Sequence, residues 1–177
     1  MPFAYTIKDQ QAVHFVTFTV HQWVDVFTRQ IYVDELLKNI VYCQENKGLQ
    51  VYAWVVMSNH CHFILSANGN CRLSDIIRDF KKFTAKSIYK MILENEAESR
   101  RKWLLMTLSN EGRIWFWEEG YHGEEIFSLK FFESKLNYIH LNPVRAGIVE
   151  KEEEYLNSSA GTLYGLRKGA LELSIFG

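Results

Sequence analysis

Residues 50–66, QVYAWVVMSNHCHFILS, constrain the fold of this chain more than any other stretch. Val51, Ala53, Val55 and Met57 alternate with Tyr52, Trp54 and Val56; Ser58-Asn59 punctuates the run and Phe63-Ile64-Leu65 resumes it. That is the pattern of a strand, a tight turn and a second strand. Side chains on a strand alternate faces, so His60 and His62 project from one side of the sheet and Cys61 from the other. Two imidazoles two residues apart make half of a metal site, and strands are the rigid framework that such ligands need. Histidines on a strand also serve plain packing, so the pair acquires meaning only with a second element.

Residues 128–149 supply one. Ser128 has the character of an N-cap, and Leu129, Phe132, Leu136 and Ile139 fall on one helical stripe able to pack on a sheet. A second stripe, about a hundred degrees round, carries Phe131, Lys135, Tyr138 and Asn142. Tyr138 and Asn142 are therefore one turn apart and off the core stripe. Pro143 disfavours helix at Asn142, which predicts that the helix stops there, and Val144-Arg145-Ala146-Gly147 then turns the chain away. On these residues alone Tyr138 also fits a groove-filling tyrosine with a hydrogen-bonded hydroxyl.

The 177 residues, 47% hydrophobic and 15% aromatic, suffice for one well-buried domain. The expected organisation is a single domain over 1–177, with a core at about 12–150 and a tail at 151–177. No uninterrupted apolar run of membrane-spanning length occurs, and the N-terminus MPFAYTIKDQQ lacks a signal-peptide layout, so a soluble, cytoplasmic protein without membrane partners is expected. Cys43, Cys61 and Cys71 form no C-x-x-C pair and leave an odd thiol, as in a reducing compartment. A net charge of -1 gives no global sign of nucleic-acid binding. Its distribution is uneven: residues 72–113 carry ten basic side chains against six acidic ones. Acid gathers at Glu118-Glu119, Glu124-Glu125 and Glu150 to Glu154.

Along the rest of the chain, Ala12 to Val20 reads as a central strand, and Thr28 as the N-cap of a helix that ends near Gly48. Ser74 reads as the cap of a long second helix with the apolar stripe Leu73, Ile76, Ile77, Phe80, Phe83, Ile88, Met91 and Ile92. Lys81, Lys82, Lys86 and Lys90 stand off that stripe, positioned either to follow phosphates or to solvate a surface. Residues 94–112 have no secure assignment. Arg113 to Trp117 reads as a short strand whose Trp115, Phe116 and Trp117 either stack bases or pack in a core, and Gly120 to Gly123 as a loop.

The strand-borne His-x-His, the helix-borne tyrosine and the order strand-helix-strand-strand-helix-strand together resemble the single-tyrosine HUH transposases, in particular their REP-associated branch. The resemblance covers roughly residues 12–150, and its specific motifs are AWVVMSNHCHFIL and YIHLNPVRAGIV. It implies an α+β fold, a ferredoxin-like antiparallel β-sheet with helices packed on one face. It also implies that His60 and His62 are the HUH pair, Tyr138 the nucleophile, and Asn142 the third metal ligand where other branches have glutamine. The metal is then Mg2+ or Mn2+, although His ligands alone would also suit zinc. His140 lies on a different helical face from Tyr138 and is not expected to be a ligand, whereas His122 and the glutamates near it are open additions.

The activity implied is cleavage and rejoining of single-stranded DNA at hairpin-forming palindromes through a 5'-phosphotyrosine, by a monomer or homodimer. A phenol is largely un-ionised at neutral pH, and a nearby divalent ion would help ionise and aim it. Given the weakly acidic chain, DNA contacts are expected from local cations: Lys82, Lys86, Lys90, Arg100, Arg101 and Arg145. Two other readings stand beside this one. A non-catalytic nucleic-acid-binding protein on the same frame would not need Tyr138. A zinc hydrolase would recruit Glu118 or Glu119 to the histidines.

Overall fold

The structure, a computed structural model, describes residues 6–177; the first five residues of the stretch read for a signal peptide lie outside it. In chain order it comprises β1 (His14–Thr19), α1 (Gln30–Lys47), β2 (Leu49–Val56), β3 (His60–Ala67), α2 (Leu73–Glu94), α3 (Arg101–Thr107), β4 (Ser109–Asn110), β5 (Arg113–Ile114), β6 (His122–Glu125), α4 (Leu129–Arg145) and α5 (Ala160–Leu163). The four long strands form one antiparallel sheet in the order β2-β3-β1-β6, while β4 and β5 make a separate two-stranded ribbon. This is the expected α+β, ferredoxin-like sheet.

Helices pack against both of its faces. Val16, Phe18, Trp54, Phe63 and Leu65 point toward α1 and α2 and form one large core with Leu36, Ile40, Ile77, Phe80 and Ile88. Phe15, Ala53, Val55 and Ile64 point the other way and meet Ile139 of α4. The expected single helical face therefore holds for α1 and α2, and α4 covers the opposite side. Each large side chain buried in these layers contributes roughly 1.5–3 kcal/mol.

Strand β2 departs from simple alternation. Val51 pairs with Leu65 and Ala53 with Ile64, which leaves Tyr52 as an extra residue in a bulge. One extra residue flips every later side chain to the other face. Val51 accordingly joins Trp54 and Val56 in the larger core, not Ala53 and Val55 as the plain alternation predicts.

Helix ends differ from expectation in informative ways. Thr28 sits in a short turn before α1, its hydroxyl bonded to the Asp25 carbonyl, and Arg29 occupies the N-cap. Ser74 lies inside α2; the side chain of Gln10 reaches across to accept its backbone N–H at 2.9 Å. A tertiary contact thus satisfies an N-terminal donor for which the sequence offers a local cap. At the other end of α1 the expectation holds: Gly48 has φ +70, and a Cβ there would meet the Asn68 carbonyl at 3.2 Å.

The unassigned stretch 94–112 contains α3. The fourth strand of the sheet is β6, in the region read as a loop, whereas only Arg113 and Ile114 of the aromatic run are strand. The tail lies along the free edge of β2: Val56 N–H donates to Asn157, Ser159 N–H to Trp54, and Ser174 N–H to Val51. It masks backbone that would otherwise template a foreign strand. Phe176 stacks on Phe132 of α4 at 4.3 Å, so the tail also steadies the helix that carries Tyr138.

Candidate active site

The register of the sheet lays out the site. His60 lies opposite Thr19 and His62 opposite Thr17 on β1, and Thr17 in turn faces His122 on β6. His60, His62, Thr17, Thr19, His122, Phe15 and Glu124 consequently share one face. Helix α4 crosses that face, entered through Ser128, whose hydroxyl accepts the Phe131 N–H at 3.2 Å as expected of an N-cap. It delivers Lys135, Tyr138 and Asn142 to the same cavity, a cleft of about 700 Å³ lined also by Trp23. The tyrosine ring stands 5.2 Å from that of His62 and 5.8 Å from that of Phe15. It is 41% exposed, open on the cavity side.

Pro143 does not end α4; the helix continues to Arg145. Pro143 has no N–H to donate within the helix, and burial of Ile139 and Pro143 holds the segment helical. The extra turn brings Arg145 back over the Tyr138 ring, 5.7 Å from its centroid.

Both histidines are oriented by their Nδ1 atoms. Asn59 gives its Nδ2 to the Trp23 carbonyl at 3.3 Å and to the Asp25 carboxylate at 3.1 Å, so its Oδ1 faces His60 Nδ1 at 2.8 Å. An amide oxygen only accepts, hence Nδ1 of His60 carries the proton and Nε2 a lone pair. His62 Nδ1 bonds Thr17 Oγ1 at 2.7 Å, and its Nε2 is the one buried side-chain N or O among the described residues with no hydrogen-bond partner. Burial lowers the pKa of His60, and burial together with His60, Lys135 and His122 lowers that of His62 to about 3. Both rings are neutral at physiological pH, the state in which imidazole ligates metals.

A polar cluster borders the pair. His122 Nε2 lies 2.6 Å from one oxygen of Glu124, and Lys135 Nζ 2.9 Å from the other. Burial pushes the Glu124 carboxyl up, but His122 and Lys135 outweigh it and hold it below the usual carboxylate range. Lys135 also lies over the Phe15 ring at 4.6 Å. Among the described residues no three His, Cys, Asp or Glu side chains converge as a metal cluster; Asn142 lines the cleft together with His60 and His62.

Of the candidate residues, His60, His62, Tyr138 and Asn142 come together and Arg145 adjoins them. Lys82, Lys86 and Lys90 lie exposed on α2, which packs on the other face of the sheet, and Lys90 pairs with Glu94. Arg100 is spent on Glu98, a buried carboxylate, and on the Asp25 carbonyl. Arg101 begins α3 and does not line the cleft. Lys81 is half-buried, donating to the carbonyls of Glu118 and Gly120; burial pulls its pKa down to about 8. His140 points away into Ser159 at 2.9 Å. Glu118 binds the Gln22 N–H and His21 rather than the His60–His62 pair. Thr17 and Thr19, missed from sequence, had a signal in the T-x-T alternation of β1, whereas Trp23 had none.

A family model described as "Transposase IS200 like" matches residues 8–141. The chain belongs to the IS200-like transposase family. As a member of that family it is a DNA-cutting and rejoining enzyme, and the single-tyrosine HUH resemblance read from its two motifs is borne out. Among solved structures it is similar to a REP-associated tyrosine transposase bound to a REP hairpin, with 19% identity, a TM-score of 0.70, and coverage of 99% of this chain and 95% of that one. At that identity the likeness bears on the fold, which it supports end to end. A candidate transposase from Deinococcus radiodurans R1 superposes more loosely, with 15% identity and a TM-score of 0.48 over 78% of this chain and 92% of the other. No curated protein matches the chain significantly. No helix among the described residues is long and apolar enough to cross a membrane.

Proposed function

We propose that this transposase cuts and rejoins single-stranded DNA beside hairpin-forming palindromes, with Tyr138 as nucleophile. The observation that carries the reading is the placement of an exposed tyrosine, ring to ring at 5.2 Å, over His62 in a cleft shared with His60 and Asn142. Hairpin DNA is the ligand held by the similar REP-associated transposase, and that supports the same substrate class here.

The residues fit a divalent ion such as Mg2+ or Mn2+. His62 Nε2 is buried without a partner and His60 Nε2 has its lone pair freed by Asn59; these two atoms and the Asn142 amide oxygen would hold the ion. When bound, such an ion polarises a non-bridging phosphate oxygen and favours the phenolate. Thr17 and Asn59 orient the two rings. Lys135 and Arg145 place positive charge beside Tyr138, where the phosphodiester must lie.

In the first step the Tyr138 hydroxyl gives its proton to water on the open side of the cleft, its oxygen bonds phosphorus, and the P–O3' bond breaks. The departing 3'-oxygen takes up a proton, leaving a 5'-phosphotyrosine and a free 3'-hydroxyl. Attack by a 3'-hydroxyl reverses these changes and rejoins DNA without an external energy source.

The test is a denaturing gel of protein incubated with Mg2+ or Mn2+ and hairpin oligonucleotides drawn from the DNA flanking the gene. A slow band is expected that needs metal and is absent in Tyr138→Phe. Hairpin binding without attachment under both metals would replace this reading with that of a non-catalytic binding protein.

A further inference from the structure

Gln22 and Trp23 are consecutive non-glycine residues in left-handed backbone, φ 52 and 56. Bulky residues rarely adopt this conformation, and where they do the surroundings must enforce it. Here the Gln22 N–H is held by Glu118 at 2.7 Å, the Trp23 N–H by the Val20 carbonyl and the Trp23 carbonyl by Asn59, the residue that also orients His60. The turn presents the Trp23 indole 64% exposed at the rim of the catalytic cleft, 6.4 Å from the His60 ring. Nothing in the core requires a tryptophan there.

The same turn borders a second cavity. His21 and Gln22 line a cleft of about 400 Å³ together with Asn110 and Trp115. Of the three aromatics in the run 115–117, Phe116 and Trp117 are buried in the large core, and Trp115 alone is left at this surface. Exposed Arg113 lies over its ring, 4.8 Å from the centroid. That contact places a guanidinium against the Trp115 ring, beside the residues that line the cleft.

We propose that single-stranded DNA leaves the catalytic cleft across Trp23, which stacks on the unpaired base next to the cut, and then enters the second cavity, beside which Arg113, held over Trp115, meets a backbone phosphate. This rests on the reading of the His60–Tyr138 cleft as the place of cutting. An aromatic face accepts any base, and the arginine supplies the charge that the chain's overall balance lacks.

The test uses Tyr138→Phe protein and a fluorescein-labelled hairpin with unpaired flanks, followed by anisotropy. Adding Trp23→Ala is expected to weaken binding roughly five- to a hundredfold, with Trp23→Phe retaining most affinity and unchanged melting temperatures. An abasic nucleotide at one flanking position should weaken the parent by a similar factor and the Trp23→Ala protein no further, a coupling that a merely structural tryptophan would not produce. Arg113→Ala should lower the slope of log affinity against log salt by about 0.7. Tyr42→Ala, an exposed aromatic on α1, should change nothing. Equal affinity with and without Trp23, or independent losses from the abasic site and from Trp23→Ala at every position, would overturn the proposal. Adduct assays on the Tyr138 protein separate the two readings. An adduct formed regardless of Trp23 sinks the strand path alone; Trp23-dependent binding with no adduct sinks the phosphotyrosine and leaves the path standing.

Discussion

The two faces of the sheet are built from the same strands and do opposite things. Toward α1 and α2 the inward residues are mostly apolar, with His14 and Thr84 buried among them, and the layer closes into one core. Toward α4 the apolar half lies under Ile139, and the remainder, from His60 to Glu124, stays polar around an open cleft. Strand β3 serves both: Cys61 and Phe63 are closed into the core while His60 and His62 look into the cleft. A period of two lets one rigid strand hold the fold with alternate side chains and present the others to an open cleft.

Adjacent substitutions on β3 should therefore part company. His62→Ala, like Tyr138→Phe, is expected to take adduct formation below detection on a denaturing gel and to leave the melting temperature within a few degrees. Phe63→Ala, one residue on and 0% exposed, should cost about 3–5 kcal/mol in denaturant unfolding. If His62→Ala proved as destabilising as Phe63→Ala, the cleft face would be a second core and the contrast would fail.

A smaller effect separates holding a ligand from being one. Asn59→Ala leaves His60 in place but removes the acceptor that fixes its Nδ1 proton. A roughly 10–100-fold loss of metal-dependent adduct rate is expected, recovered in part by excess metal. No loss would mean that His60 finds its tautomer unaided.

Acid should weaken the α4 side of the molecule. Burial lowers the pKa of His140 to about 4 against an ordinary value near 6.5, so between those values the unfolded chain binds a proton that the folded one refuses. Stability on this account is full above pH 6.5 and is lost as pH falls toward 4, with a limiting slope of about 1.4 kcal/mol per pH unit. Denaturant midpoints at pH 7 and pH 5 should converge in His140→Gln relative to the parent; an unchanged gap would assign the acid sensitivity elsewhere. The smallest effect is expected at the start of α4, where Ser128→Ala should cost about 1 kcal/mol through the lost cap.

The parts legible in sequence were those whose signal is local. The strand-turn-strand pattern of β2 and β3, the Ser128 cap, Gly48 in left-handed backbone and the His-x-His and Tyr-x-x-x-Asn spacings each depend on residues a few positions apart. Strand β6 was not legible because HGEE has no strand-like composition; it becomes a strand by pairing with β1, more than a hundred residues earlier. One-dimensional charge does not say which face of the sheet a helix covers, and Lys82, Lys86 and Lys90 lie on α2, on the side opposite the cleft.

The sequence pointed, through its resemblance to the single-tyrosine HUH transposases, to the family and the antiparallel α+β frame, while strand and helix periods by themselves placed His60 with His62 and Tyr138 with Asn142. The tertiary structure decided the rest: that α4 lies on the histidine face, that Lys135, Glu124, His122 and Arg145 surround the tyrosine while Lys82, Lys86 and Lys90 do not, and that Trp23 stands at the rim. These depend on long-range packing and on a bulge at Tyr52 that reverses the faces of β2, and neither is encoded in any single periodic stretch.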